Sequence, residues 1–190
     1  MEYFCVTDTG LVREKNQDSY LAISNAYGDF LVLVADGIGG GKAGEVASGE
    51  TIKYFDDHFK GSGPFENIED GINYIRYHIS CANRHIYDLS SRYVEYAGMG
   101  TTLTGILITS HGTISINCGD SRVYGFIDDL SIHLTVDHTL VNQMLEKGQI
   151  VEDGTHDALL EQHGPYAQLF EIQSRYYKED ATTGGSDHEE

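Results

Sequence analysis

The sequence predicts an α+β fold in which helices pack on antiparallel sheet. Three observations carry this. Phe30 to Ala35 (Phe-Leu-Val-Leu-Val-Ala) is a short continuous apolar run ending at Asp36-Gly37, the pattern of a buried strand entering a loop. Two helical stretches follow it with no strand between them. Strand-like segments then resume, joined by connections too short for a crossover.

The first helix is expected over Ala43 to Phe59, stopped by Gly61-Ser62-Gly63-Pro64. The second is expected from about Asn67 to Leu89. Its apolar residues Ile68, Ile72, Ile75, Ile79, Ala82, Ile86 and Leu89 recur at four-three spacing and form one stripe. A coiled coil would show the same spacing, but three heptads are short for one, so packing on a sheet is the favoured reading. Strands are expected at about Thr101 to Thr109, Thr113 to Asn117, Arg122 to Ile127 and Ser131 to Thr135. His111-Gly112 and Asp128-Asp129 are short turns, so neighbouring strands should pair as antiparallel hairpins. A last helix is expected over His138 to Gly148.

The chain of 190 residues, 40% of them hydrophobic, is long enough for one domain with a sizeable core. Its formal net charge of −18 argues against nucleic acid as a partner, because phosphate binding needs basic surface. The start, Met-Glu-Tyr-Phe-Cys-Val-Thr-Asp, has neither the basic residues nor the apolar stretch of a signal peptide. No apolar run approaches the roughly 20 residues of a membrane span. Cys5, Cys81 and Cys118 are odd in number and far apart, which fits neither a disulfide framework nor a zinc site. They read as buried free thiols of a cytoplasmic protein.

Four clusters carry chemistry: Arg13-Glu14-Lys15-Asn16-Gln17-Asp18-Ser19; Val34-Ala35-Asp36-Gly37-Ile38-Gly39-Gly40; Gly98-Met99-Gly100-Thr101-Thr102-Leu103; and Cys118-Gly119-Asp120-Ser121-Arg122 with Leu134-Thr135-Val136-Asp137-His138. Asp36 at the end of an apolar strand puts a charge beside a dry interior, and a cation would be a good partner for it. Magnesium and manganese favour oxygen donors, among which the Gly37 carbonyl would count. Alone, Asp36 reads better as a cap on the following turn or helix. Asp18 and Asp120 suit turns as well as ligation. Arg13 suits a solvated surface charge, or a bidentate grip on phosphate.

Taken together, Thr7-Asp8-Thr9-Gly10 through Asp18-Ser19, Ala35-Asp36-Gly37-Ile38-Gly39-Gly40, Met99-Gly100-Thr101-Thr102, Gly119-Asp120-Ser121-Arg122 and Asp137-His138 resemble, in order and spacing, the successive motifs of bacterial 2C-type metal-dependent serine/threonine protein phosphatases. The resemblance covers residues 1 to about 150. It implies an antiparallel β-sandwich flanked by helices, C-terminally truncated, and two Mn²⁺ or Mg²⁺ ions. It implies that Asp36 bridges both ions, that Gly37 gives one of them its carbonyl, that Asp18 holds metal-bound water and that Asp120 serves a further, weaker site. Arg13 matches the arginine that grips the substrate phosphate. The implied reaction is in-line attack of water on phosphoserine or phosphothreonine in proteins, with no covalent intermediate. The implied partners are phosphorylated proteins, among them a cognate Ser/Thr kinase or its substrates. Gln17 stands where some members have glutamate.

Two later metal aspartates of the family, one in Ser-Asp-Gly and one in Asp-Asn, have no counterpart. Instead residues about 146 to 177, including Gly164-Pro165-Tyr166-Ala167-Gln168-Leu169-Phe170, resemble the C-terminal tail of an ABC exporter ATP-binding domain, without that domain's phosphate-binding loop or signature motif. The expected organisation is therefore an incomplete phosphatase-like domain at 1–148, a short helical extension at 149–177 and a disordered acidic tail at 178–190, as in a truncated phosphatase joined to an exporter tail. Fewer carboxylates imply weak metal affinity and impaired turnover. Open sheet edges imply self-association.

Three rival readings remain, one of them an inactive fusion fragment. Gly39-Gly40-Gly41-Lys42-Ala43-Gly44 formally matches a dinucleotide fingerprint, but the second strand of that fold is missing and no hydroxyl residue completes a P-loop. A non-catalytic module that binds phosphoproteins through Arg13 would share every visible residue with an enzyme.

Overall fold

The computed structural model describes residues 2–13, 15–39, 43–128 and 130–138, with the isolated positions 160, 161, 163 and 167. The chain divides into two compact units, Met1–Thr139 and Leu140–Glu190, and the described structure falls almost wholly in the first. The helix expected over 138–148, the exporter-like stretch and the polar tail lie outside the described residues, save for His138 and the isolated positions.

The elements of the first unit run β1 (Asp18–Ser24), β2 (Phe30–Ile38), α1 (Ala43–Phe59), α2 (Ile68–Arg92), a 3₁₀ turn (Val94–Tyr96), β3 (Gly100–Thr101), β4 (Leu103–Thr109), β5 (Gly112–Cys118), β6 (Tyr124–Ile127) and β7 (Leu130–His133). The main sheet is antiparallel in the order β1-β2-β4-β5, and β3 also pairs with β2. Strands β6 and β7 form a separate hairpin. This is the expected α+β architecture.

Strand alternation decides which face meets the helices. Leu31, Leu33 and Ala35 of β2 are fully buried and join Leu21, Leu103, Leu107 and Ile116 in the core. The other face of β2 is not dry: Val34 remains 41% exposed. The apolar run at Phe30 to Ala35 is therefore a strand buried on one face among the described residues, rather than the fully buried strand expected.

Helix α1 turns Ala43, Gly44, Ala47, Ser48, Thr51, Ile52, Phe55 and Phe59 inward, a stripe at helical spacing whose first turns carry only small residues. That lets its N-terminus approach the sheet closely. Helix α2 starts at an Asn67 cap, whose side chain accepts from the Asp70 N–H at 3.0 Å. It packs on α1, β4 and β5, as expected of the isoleucine stripe. Gly71 and His78 are also buried on this face, beside the stripe. His78 Nδ1 lies 3.0 Å from the Tyr54 hydroxyl, and Tyr74 packs against the His78 ring at 4.1 Å between centroids. Burial pushes the Tyr54 and Tyr74 phenols up to about 12, so both stay protonated at neutral pH.

Three expectations need correction. β1 was not foreseen as a strand. β2 continues past Asp36 to Ile38, because Asp36 pairs with Asp18 and Gly37–Ile38 pair with Thr101 and Gly100. The cysteines are free but none is buried: Cys5 and Cys81 are half-buried and Cys118 is exposed at the end of β5.

Candidate metal centre

Asp18 opens β1 and sits directly across the ladder from Asp36 on β2. Cross-strand partners share a face, with their Cβ atoms about 4.5–5.5 Å apart. That face is the one opposite the helices, where Tyr20 and Val34 are the next pair along. Two carboxylates thus sit side by side at one end of the sheet. The Asp36 carboxyl is held above its ordinary value by burial, then by the charge and hydrogen-bonding contact of Asp18, and more weakly by the charge of Asp120. The Arg13 guanidinium pulls in the opposite direction. Arg13, Asp18 and Asp120 therefore all act on Asp36, although all three are themselves exposed. Among the described residues Arg13 makes no ion pair.

The backbone of Asp36 is held from both sides. Its carbonyl accepts from Thr101 Oγ1 and from the Thr102 N–H, each at 2.9 Å. Its N–H donates to Thr102 Oγ1 at 3.0 Å. With that lone pair engaged, the Thr102 hydroxyl still has its proton for Ser121 Oγ, 2.8 Å away. Because Thr102 bonds to Asp36 in this way, the expected single strand at Thr101 to Thr109 divides into β3 and β4. The same residue ties the Asp36 strand to the loop carrying Asp120.

Gly37 faces the helix side. Its N–H donates to the Gln17 carbonyl at 3.1 Å, and the same carbonyl accepts from Ser48 Oγ of α1 at 2.6 Å. A Cβ on Gly37 would collide with the Gly44 backbone carbonyl, and one on Gly44 would stand 2.9 Å from the Gly37 oxygen. The two glycines allow α1 to seat against the end of β2.

The loop from Gly119 to Arg122 is strapped in place. Gly119 has φ +123°, a conformation that glycine tolerates and L side chains rarely adopt. Its carbonyl accepts from the His138 N–H at 2.8 Å. Arg122 grips Asp137 with Nε at 2.9 and 3.1 Å and Nη2 at 2.6 Å, which holds the Asp137 carboxyl below its ordinary value. Asp137 and Arg122 thus position the Asp120 loop. The sequence marked these residues as motif members without giving Thr101, Thr102, Ser121 or the Arg122–Asp137 pair a task. Their signal was a hydroxyl or charge at a fixed offset from each aspartate.

Carboxylates and a backbone carbonyl are donors that suit a hard divalent cation. The repulsion between Asp18 and Asp36 is what such an ion would relieve. Among the described residues, however, no three His, Cys, Asp or Glu side chains converge closely enough to hold a metal. The pair forms the core of the site and Asp120 stands further off.

The Protein phosphatase 2C family model matches residues 12–144. The chain belongs to the protein phosphatase 2C family. Serine/threonine phosphatase stp of Listeria welshimeri is 32% identical over 147 residues, covering 77% of this chain and 58% of that protein. The crystal structure of serine/threonine phosphatase Stp1 from Staphylococcus aureus superposes with a TM-score of 0.70 at 34% identity, covering 77% of this chain and 57% of that one. The catalytic domain of PstP in complex with two manganese ions superposes with a TM-score of 0.62 at 31% identity, covering 76% and 59% of the two chains. The chain therefore spans somewhat under three fifths of the length of these phosphatase 2C relatives. Among the described residues, no helix is long and apolar enough to cross a membrane.

Proposed function

We propose that this chain is a phosphoric monoester hydrolase acting on phosphoserine and phosphothreonine in proteins. The observation that carries it is the Asp18–Asp36 pair across β1 and β2, with Arg13 and Asp120 both within electrostatic reach. Two Mn²⁺ or Mg²⁺ ions would be held by Asp36, the Gly37 carbonyl and Asp18, with Asp120 serving a weaker position. Such ions, when bound, neutralise phosphoryl charge and make water a nucleophile at neutral pH. The chain's own share is positional. Arg13, unpaired among the described residues, is available to a phosphate. Thr101 and Thr102 fix the Asp36 backbone, so its carboxylate is aimed before substrate arrives. A cytoplasmic location, a cognate kinase or its substrates as partners, and self-association through edge strands β1 and β5 belong to the same proposal.

One observation favours a second reading. With no third carboxylate among the described residues converging on Asp18 and Asp36, the scaffold suits a module that binds phosphoproteins without cleaving them. Hydrolysis of a small aryl phosphate with millimolar manganese separates the two. Turnover abolished by chelator and by Asp36→Asn supports the hydrolase. Absence of turnover above the Asp36→Asn background supports the binding module.

A further inference from the structure

A recess of about 290 Å³ lies between α1, α2 and the 3₁₀ turn, away from the aspartate pair. Val46 and Leu89 line it with apolar surface, Tyr93 and Tyr96 with rings, and Glu50 and Glu95 with carboxylates. The two tyrosine rings stand edge to face, 5.6 Å between centroids at 64°. Tyr93 is 48% exposed, so ring surface is open to a ligand. Glu50 accepts from His85 Nε2 through one oxygen at 3.1 Å, and its other oxygen has no partner among the described residues. Glu95 makes no hydrogen bond or ion pair among them. Aromatic faces and carboxylates around apolar surface fit a cation on an apolar stem, because the stem covers that surface while the charge meets rings and carboxylates. The chain's net charge of −18 draws cationic ligands toward it.

We propose that this recess receives an arginine or lysine side chain of the phosphoprotein substrate and so sets sequence preference. This rests on the hydrolase or phosphoprotein-binding reading above. Its position is set by the fold. Gly44 touches Gly37, beside Asp36, and Glu50 lies six residues further along α1, about 9 Å by helical rise. The 3₁₀ turn leads into β3, which pairs with Gly37 and Ile38. The recess is on the helix side of the sheet and the aspartates are on the other, so a bound peptide passes round the end of β2. That path of about 15–20 Å takes about four to six extended residues.

The test is a binding titration at low salt, read by fluorescence anisotropy. The peptides carry one phosphoserine and a single arginine placed from one to eight positions away on either side, with an all-alanine reference. The expected result is affinity about five- to tenfold above the reference, peaking about four to six positions away on one side. The peak should be lost in Glu95→Gln and, in Glu95→Lys, should move to the matching peptide with glutamate. That reversal shows the variant folded. An arginine advantage that rises steadily toward the phosphoserine, or one unchanged in both variants, would mean that net charge alone attracts the peptide and would overturn the proposal. Binding needs no turnover. A failure here therefore leaves the aryl phosphate assay standing, and an inactive protein that shows the peak fails only as a hydrolase.

Discussion

Replacing Thr102 by valine should destabilise the protein by about 1.5–4.5 kcal/mol. The residue is 4% exposed, and its hydroxyl both receives the Asp36 N–H and bonds Ser121. Valine keeps the shape and β-branching, so strand propensity does not change. It leaves the half-buried Asp36 N–H unsatisfied, which costs about 1–3 kcal/mol, and removes the net worth of the Ser121 bond, about 0.5–1.5 kcal/mol. For a domain of this size that corresponds to a fall in melting temperature of about 3–18 °C, measured calorimetrically and checked by urea titration. Ser121→Ala should cost only about 1 kcal/mol, since Thr102 still serves Asp36. The double variant should cost less than the sum by about 1 kcal/mol, because Ser121 has already lost its partner in Thr102→Val. Thr102→Ser keeps the hydroxyl and should retain most of the stability. A Thr102→Val protein that melts within 1 °C of the parent, or single costs that add, would refute the view that this hydroxyl joins the Asp36 strand to the Asp120 loop.

His78 is buried against Tyr54, Phe55 and His58 of α1 and Tyr74 and Tyr77 of α2, and burial, then the His58 charge, lowers its pKa. Its contribution is fully present above the ordinary histidine value of about 6.5 and is lost as pH falls through that value toward the folded one. Urea titrations from pH 8 to pH 5 should show stability falling, and His78→Gln should flatten the slope. Gly44→Ala should cost about 1–3 kcal/mol, because the new methyl would stand 2.8 Å from Gln17 Oε1 and 2.9 Å from the Gly37 oxygen; unchanged thermal stability would show that α1 can shift away. Asp36→Asn in chelator should raise the melting temperature at neutral pH. A folded pKa held above the unfolded one makes the ionised carboxylate a destabilising group, with that penalty complete above the folded value. Scanning calorimetry of the variant beside its parent checks this, and an equal or lower melting point would contradict it.

Residues with strong local punctuation were legible in the sequence. Helix α1 begins and ends where its first small residues and the Gly-Ser-Gly-Pro stop place it. The isoleucine stripe gave α2 and its sheet-facing side. β1 was obscured because Asp18 and Ser19 read as turn residues, and Tyr20 to Ile23 are apolar on both faces although only Leu21 is fully buried. Asp36-Gly37 carries the letters of a turn. It remains in the strand because partners far along the chain, Asp18, Gly100 and Thr101, take up its backbone groups. His78 in a core and the recess at Tyr93 are invisible to periodicity, because each is assembled from separate helices.

The candidate centre places its cost and its function in the same atoms. Strand register alone sets Asp18 against Asp36, like charges across a ladder, which destabilises the ion-free protein. The bonds that resist this hold the backbone of β2: the Asp36 carbonyl accepts from Thr101 Oγ1 and the Thr102 N–H, the Asp36 N–H donates to Thr102 Oγ1 and the Gly37 N–H donates to the Gln17 carbonyl, so the carboxylates cannot separate without breaking β2 from its neighbours. A cation that enters finds its donors already aligned, and the repulsion it removes adds to its affinity. Cation affinity should therefore follow how firmly the pair is held in register, and not the overall stability of the protein. A substitution that relaxes the pair, such as Thr102→Val, should weaken manganese binding even though Thr102 touches no proposed ligand side chain, whereas a stability loss far from the pair, as at His78, should leave manganese affinity unchanged.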